Sequence, residues 1–200
     1  MAQPNKVKTW YSLFQARWYN PFRFLWTKIV SEKAENIFTQ LLRKEINPDT
    51  NILDLGCGTG INVDRIKDLK FKSYTGLDLT PAMLDQAKEK YSNLKNVSFM
   101  IQDISKRPID KKYDLIISTW VLSLLDRPAE TINQYYQQLN PQGKMLLVFL
   151  TRPAWYVHFW FYPFIRLFAS QYVTEKEINK IKGKKTVRRY FMTTLMEVEK

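Results

Sequence analysis

Cysteine and histidine are nearly absent from this 200-residue chain, which has one of each, Cys57 and His158. A lone cysteine closes no internal disulfide, and the pair leaves too few soft ligands for a Cys/His zinc site. Disulfide scaffolds and zinc enzymes are thereby excluded, and no metal is expected. A long apolar run is also missing. The most apolar stretch, residues 154–169, has only thirteen uncharged positions between Arg152 and Arg166 and contains Pro163, whereas a bilayer span takes about 20 apolar residues. Residues 1–20 are broken by Lys6, Lys8 and Arg17, so no cleavable secretion signal is expected and a reducing, cytoplasmic setting fits. Nor is the composition extreme. With 45% hydrophobic and 25% charged residues, the chain is neither disordered nor collagen-like, and its length suits one domain.

The net charge of +12 is unevenly placed. Residues 1–50 carry 8 basic and 4 acidic side chains, residues 51–150 carry 13 and 11, and residues 151–200 carry 10 and 4. Ten of the twelve excess charges thus lie in the flanks, with five of the six tryptophans: Trp10, Trp18, Trp26, Trp155 and Trp160. The middle reads as an ordinary domain core. The expected organisation is one domain, with a helical cap over 1–48, a ligand-binding core over 49–150, and a lid segment with closing strands over 151–200.

Apolar side chains recur every fourth position through Trp10, Phe14, Trp18, Phe22, Trp26 and Val30, the spacing of a helix ridge. Pro21 behind Asn20 starts a second helix, whose stripe runs through Ile37, Phe38, Leu41 and Leu42 and ends before Pro48. Short apolar runs then alternate with amphipathic segments, the pattern of a parallel sheet with crossover helices. Strands are expected at 51–55, 72–77, 97–102, 113–119 and 144–150, and helices at 60–69, 81–91 and 128–139. Asn140-Pro141-Gln142-Gly143 has the chemistry of a turn. Thr174 and Glu177 form a capping-box pattern, and 186–191 with 194–198 reads as a closing antiparallel pair.

Ile52 to Gly60 is a buried strand running into a glycine-rich turn, in the place where open parallel sheets bind nucleotide-type ligands. The glycines let backbone approach a ligand and aim the following amides at a negative group. A dinucleotide fingerprint would need its third glycine at 61, where the chain has Ile61; the spacing here is Gly56, Gly58, Gly60. Asp78 stands where an acid would hold ribose hydroxyls in either class. Asp54 would sit badly beside pyrophosphate and well near an ammonium or a sulfonium.

These residues resemble the class I S-adenosylmethionine-dependent methyltransferases. Leu53 to Gly60 is similar to that family's first motif, Gly76 to Leu84 to its second, and Phe99 to Ile104 to its third. Tyr113–Ser118 and Leu139–Lys144 resemble the fourth strand and the turn before the fifth. The resemblance implies a Rossmann-like, doubly wound, mostly parallel sheet with the antiparallel pair closing it. It implies S-adenosylmethionine as cofactor and S-adenosylhomocysteine as product. By the same resemblance Gly56, Gly58 and Gly60 line the methionine moiety, with Asp54 near its amine. Asp78 takes the ribose hydroxyls, Leu79 and Met83 flank the adenine, and Asp103 and the Ile104 amide meet its edge. The Ser118 carbonyl faces the amine. Relatives often place histidine after the fourth strand; this chain has Ser123-Leu124, which removes one ready-made base.

Methyl transfer asks mainly for in-line positioning and exclusion of water, so catalytic residues are poorly marked. No catalytic residue is assigned. Cys57 reads as a small filler of the turn, Asp114 as structural and Asp126 as a helix cap. The pocket-wall candidates are Trp120, Trp155 and His158. Aromatic flanks interleaved with lysines suit a small, hydrophobic or lipid-like acceptor and an anionic membrane surface as partner. They weakly resemble the branch that methylates quinone precursors and phospholipid headgroups. Two alternatives stay open. One is a soluble natural-product methyltransferase; the other is a non-catalytic module binding nucleic acid or protein through Lys180–Arg189, with nucleic acid the less expected partner. The flanks could equally pack on each other as core.

Overall fold

The structure, a computed structural model, describes residues 27–106, 108, 110–154, 158–159 and 170–200. The ridge from Trp10 to Trp26 lies outside the described residues, as do Trp155, Trp160 and Phe161.

A π-helical turn, Thr27–Ser31, leads into α1, Glu32–Lys44. The start of the helix expected from Pro21 lies outside the described residues, and its part from Thr27 to Ser31 is π-helical rather than α-helical. Ala34, Phe38 and Leu42 recur at helical spacing and are fully buried, each large one contributing about 1.5–3 kcal/mol by leaving water. Then follow β1 (Asn51–Leu55), α2 (Ile61–Asp64), β2 (Ser73–Asp78), α3 (Pro81–Lys90), β3 (Val97–Ile101), β4 (Tyr113–Thr119), a 3-10 turn (Val121–Leu124), α4 (Pro128–Tyr136) and β5 (Leu139–Leu150). The chain closes with α5 (Glu175–Lys180), β6 (Lys184–Tyr190) and β7 (Thr193–Glu199).

The strands form one sheet in the order β3-β2-β1-β4-β5-β7-β6. β1 to β5 are parallel, while β7 runs antiparallel to both β5 and β6. Strand order reverses between β1 and β4, which opens a crevice at their carboxyl ends. Alternate residues feed two cores. Leu53, Leu55, Ile116 and Leu147 pack with Ala129, Ile132 and Ile178 on one face. Ile52, Tyr74, Leu115, Ile117 and Leu146 pack with Phe38, Leu42 and Val63 on the other. This period-two division is what places Asp54, between Leu53 and Leu55, on the α1 and α2 side.

Three local departures from expectation have visible causes. The helix after the glycine turn holds only Ile61–Asp64. Beyond it the Arg65 carbonyl accepts a bond from the Arg43 guanidinium at 2.6 Å, so the Leu69 N–H turns to Ile66 O at 2.8 Å. Arg43 also grips Asp68 through two bonds of 2.7 Å. β5 begins at Leu139, not Lys144, because the Asn140–Gly143 turn is absorbed as a bulge: Tyr113 faces Leu139 but Leu115 faces Lys144. Gln142 adopts φ 66° there, and Asn140 Nδ2 donates to Asp114 Oδ1 at 2.6 Å. Asp114 Oδ2 accepts from the Asn51 N–H at 2.8 Å, so Asp114 is structural as expected. The residue capping α4 is Arg127, one beyond Asp126.

Candidate functional site

The turn after β1 needs glycine at three alternate positions. Gly56, Gly58 and Gly60 have φ of 71°, 54° and 75°, the left-handed region that other residues enter at a cost of about 1–2 kcal/mol. Its amides are engaged within the protein. Gly56 and Cys57 N–H both donate to Leu77 O, at 2.8 and 2.9 Å, and Gly60 N–H donates to Cys57 O at 2.9 Å. Gly58 N–H donates to Asp78 Oδ2 at 2.8 Å. The expectation that these amides point at a negative ligand group is thus corrected for these four. A turn so committed suits a ligand without phosphate there.

Asp78 closes β2 with both carboxylate oxygens engaged, Oδ1 accepting from the Thr80 N–H at 2.8 Å. Burial raises its pKa above the ordinary carboxylate value, opposed by the Thr80 and Gly58 amides. Next door, Leu79 is half-buried and Met83, on the first turn of α3, is buried. The β3 end is tied to the same corner, because Gln102 N–H donates to Asp78 O at 2.9 Å. Asp103 follows, half-buried, with its Oδ1 accepting from the Ser105 N–H at 3.0 Å. Ile104 turns into the core. Ser118, fully buried, donates its hydroxyl to Leu55 O at 3.0 Å and so joins the ends of β4 and β1.

Asp54 is fully buried beneath the turn. Its Oδ2 accepts from the Tyr74 hydroxyl and from Asn62 Nδ2, the latter at 3.0 Å. Asn62 Nδ2 also reaches Thr119 Oγ1 at 3.3 Å. Burial, then the charge on Asp54, holds the Tyr74 phenol well above its ordinary pKa. The buried Cys57 thiol is likewise pushed up by desolvation, then by Asp54 and Asp78, which makes it an unreactive filler of the turn.

Trp120 follows β4 with φ 72°, a strained conformation for a bulky residue and one that gathers at functional sites. Three bonds hold it. Its N–H donates to Val148 O at 2.7 Å, its carbonyl accepts from Ser123 N–H at 3.3 Å, and its indole N–H donates to Glu35 Oε1 at 2.6 Å. Glu35, buried on α1, is also ion-paired to Arg65. The Trp120 ring packs against a small apolar cluster of Val30, Leu150 and Met192, which Tyr172 also touches. Tyr172 in turn lies against His158, the rings tilted by 52° with centroids 5.4 Å apart. Tyr172 thus contacts both His158 and the cluster against which Trp120 packs, beyond the ends of β4 and β5; Trp155 lies outside the described residues. Ser123 stands where the histidine of relatives would be: its hydroxyl accepts from Leu150 N–H at 2.9 Å and its carbonyl from Gln171 N–H at 2.7 Å.

Asn62, Tyr74, Glu35 and Tyr172 are the members sequence reasoning missed. The available signal was polarity at positions where helix or strand periodicity calls for an apolar residue. The basic run Lys180–Arg189 is largely engaged internally. Lys180 pairs with Glu177, Arg188 with Glu197 and Arg189 with Glu175, while Lys185 Nζ caps carbonyls at the end of α5, the shortest being Ile181 O at 2.7 Å.

The residues fit S-adenosylmethionine. A Cβ built on Gly58 meets no atom within 4 Å among the described residues beyond its chain neighbours, whereas one on Gly56 would lie 2.1 Å from Val121 Cγ2. The turn is thus packed on one side and open at its middle, beside Asp78.

A family model described as a methyltransferase domain matches residues 46–153. Malonyl-(acyl-carrier protein) O-methyltransferase 1 of Ilyobacter polytropus is 35% identical over 119 residues, 59% of this chain and 42% of that protein. The corresponding enzyme of Halalkalibacterium halodurans is 38% identical over 126 residues, 58% and 46% of the two chains. The chain thus spans less than half the length of these relatives. Among solved structures, magnesium protoporphyrin IX methyltransferase from Synechocystis shares the fold at TM-score 0.71 and 15% identity, covering 99% of this chain and 100% of that one. With the motifs in order along the sheet and the family model spanning more than half of the sequence, the chain belongs to the class I S-adenosylmethionine-dependent methyltransferases.

Proposed function

We propose that the chain moves a methyl group from S-adenosylmethionine to a small, hydrophobic or lipid-like acceptor. The observation that carries this reading is the apolar cluster beyond β4 and β5, where Trp120 and Tyr172 pack against Val30, Leu150 and Met192, and the His158 ring lies against Tyr172. An apolar wall beside the cofactor site favours an apolar acceptor and keeps water away, which is most of what in-line transfer requires. When bound, the cofactor supplies an electrophilic methyl carbon on its sulfonium. Asp78 accepts the ribose hydroxyls, Leu79 and Met83 hold the adenine faces, and Asp103 with the Ile104 amide meets its edge. Gly58 leaves room for the methionine moiety, while Gly56 and Gly60 let the turn pack closely on Val121 and Tyr91; the amine of that moiety faces Asp54 and the Ser118 carbonyl. An acid carried on a thioester belongs to this acceptor class, and the curated relatives' names support it.

The test is transfer of label from methyl-tritiated S-adenosylmethionine, offered separately with fatty acids, acyl carrier proteins loaded with acid thioesters, quinone precursors, phospholipids and, as the contrary case, nucleic acid. Label is expected in an organic-extractable or carrier-bound product. Label confined to nucleic acid would overturn the reading.

A membrane surface as partner has one specific support: Phe159 is 78% exposed, within a segment rich in aromatics and near the exposed Arg152. No helix among the described residues is long and apolar enough to cross a membrane. Binding at the interface would combine burial of aromatic surface with attraction of basic residues to anionic lipid, about 1 kcal/mol for each residue near the surface. The protein is expected to co-sediment with anionic vesicles at low salt, to be released by high salt, and to bind less after Phe159→Ser. Wild-type protein left in the supernatant at low salt would return the aromatics to the core or the pocket roof.

A further inference from the structure

Asn62 carries a polar atom that the fold leaves over. The residue is 1% exposed, and its Nδ2 is occupied by Asp54 Oδ2 at 3.0 Å and Thr119 Oγ1 at 3.3 Å. Its Oδ1 is buried and accepts no hydrogen bond among the described residues. The amide cannot be turned round to cure this, since its nitrogen would then face nothing and its oxygen would face the Asp54 carboxylate. A buried acceptor without a donor is costly to keep, and native proteins retain such groups where a ligand or water completes them. Its place is informative too. Asn62 bridges β1, through Asp54, and β4, through Thr119, at the point where strand order reverses and open sheets take their ligands.

We infer that Asn62 Oδ1 accepts a hydrogen bond from the ammonium of the cofactor's methionine moiety, directly or across one water. The assignment rests on the cofactor reading above and follows from the cofactor's inventory of donors. The methionine carboxylate and the sulfonium have no N–H or O–H to give. The ribose hydroxyls are drawn to Asp78 and the adenine amine to Asp103, at the ends of β2 and β3. Only the ammonium remains to meet the β1–β4 crevice, and the negative Asp54 beside Asn62 complements its charge. Asn62 is then a residue that selects a cofactor with an intact amino acid end over a nucleoside without one.

The experiment measures, by titration calorimetry, the affinities of wild type and Asn62→Leu for S-adenosylhomocysteine and for its analogue lacking only the α-amino group. Wild type is expected to prefer the amine-bearing ligand, and Asn62→Leu to lose about tenfold of that preference while binding the deaminated analogue as wild type does. Asn62→Ser, with its smaller polar side chain, repeats the comparison if the leucine variant does not fold, and thermal melting of the ligand-free variants reports the structural effect separately. Equal losses for both ligands would make Asn62 a support of the turn alone, and no loss for either would leave its oxygen to an ordinary buried water; each overturns the inference. Wild type that binds neither ligand would instead defeat the cofactor reading on which it rests.

Discussion

Gly58→Val is expected to abolish binding of S-adenosylhomocysteine, with affinity falling by more than about a hundredfold, while the fold survives. Two features of Gly58 separate these effects. Its φ of 54° is left-handed, so a β-branched residue adds strain of about 1–2 kcal/mol, a tolerable fraction of a domain's stability. Apart from its chain neighbours, no heavy atom among the described residues lies within 4 Å of a Cβ built there, so a valine is accommodated by the turn and projects into the space assigned to the methionine moiety. Gly56 offers the opposite control. A Cβ at Gly56 would lie 2.1 Å from Val121 Cγ2 and 2.7 Å from its Cβ, and substitution there should lower the melting temperature steeply before it reports on any ligand. Circular dichroism, thermal melting and titration calorimetry on both variants check the pair. Wild-type affinity in Gly58→Val would mean that the open side of the turn is not where the ligand lies.

The same turn shows what a sequence can and cannot disclose. β1 at Asn51–Leu55 and β4 at Tyr113–Thr119 match the expected bounds, because each carries a short Ile and Leu core and ends where the backbone turns left-handed, at Gly56 and at Trp120. The glycines were legible since three left-handed positions in five residues leave little choice of residue type. What escaped was set by partners far along the chain. α2 is short because Arg43, 22 residues earlier, takes the Arg65 carbonyl, which no local window contains. The amides of the turn look free in sequence, yet Leu77 O and Asp78 Oδ2 accept three bonds from the Gly56, Cys57 and Gly58 N–H groups, and Cys57 O accepts a fourth from Gly60 N–H. Asn62, Tyr74 and Glu35 read as surface residues by type. Their burial depends on one another, through Asp54 for the first two and through Trp120 and Arg65 for the third. Trp120 is expected to wall a pocket from its position after β4, but the left-handed backbone that sets its direction is not visible in the sequence.

Asp78 should make cofactor affinity and ligand-free stability respond to pH in opposite directions. Burial raises its pKa above the ordinary carboxylate value in the folded protein. A carboxyl raised on folding contributes stability below its unfolded pKa, near about 3.9, and that contribution is lost as pH rises through the folded value. Ionised Asp78 is thus a burden on the empty fold at neutral pH. Binding runs the other way, because two ribose hydroxyls need two acceptor oxygens and the protonated acid offers fewer. Affinity for S-adenosylhomocysteine should therefore weaken as pH falls, starting above the range of an ordinary aspartate. The rise in melting temperature that the ligand produces should shrink with it, since that rise follows from affinity by mass action. Asp78→Ala should remove the acid limb of this profile and cut affinity by about ten- to a hundredfold, the loss of a charge-assisted hydrogen bond worth about 1.5–3 kcal/mol. Calorimetry across pH on both proteins is the measurement. A variant that keeps wild-type affinity, or a wild type whose affinity does not change between acid and neutral pH, would take the ribose away from Asp78.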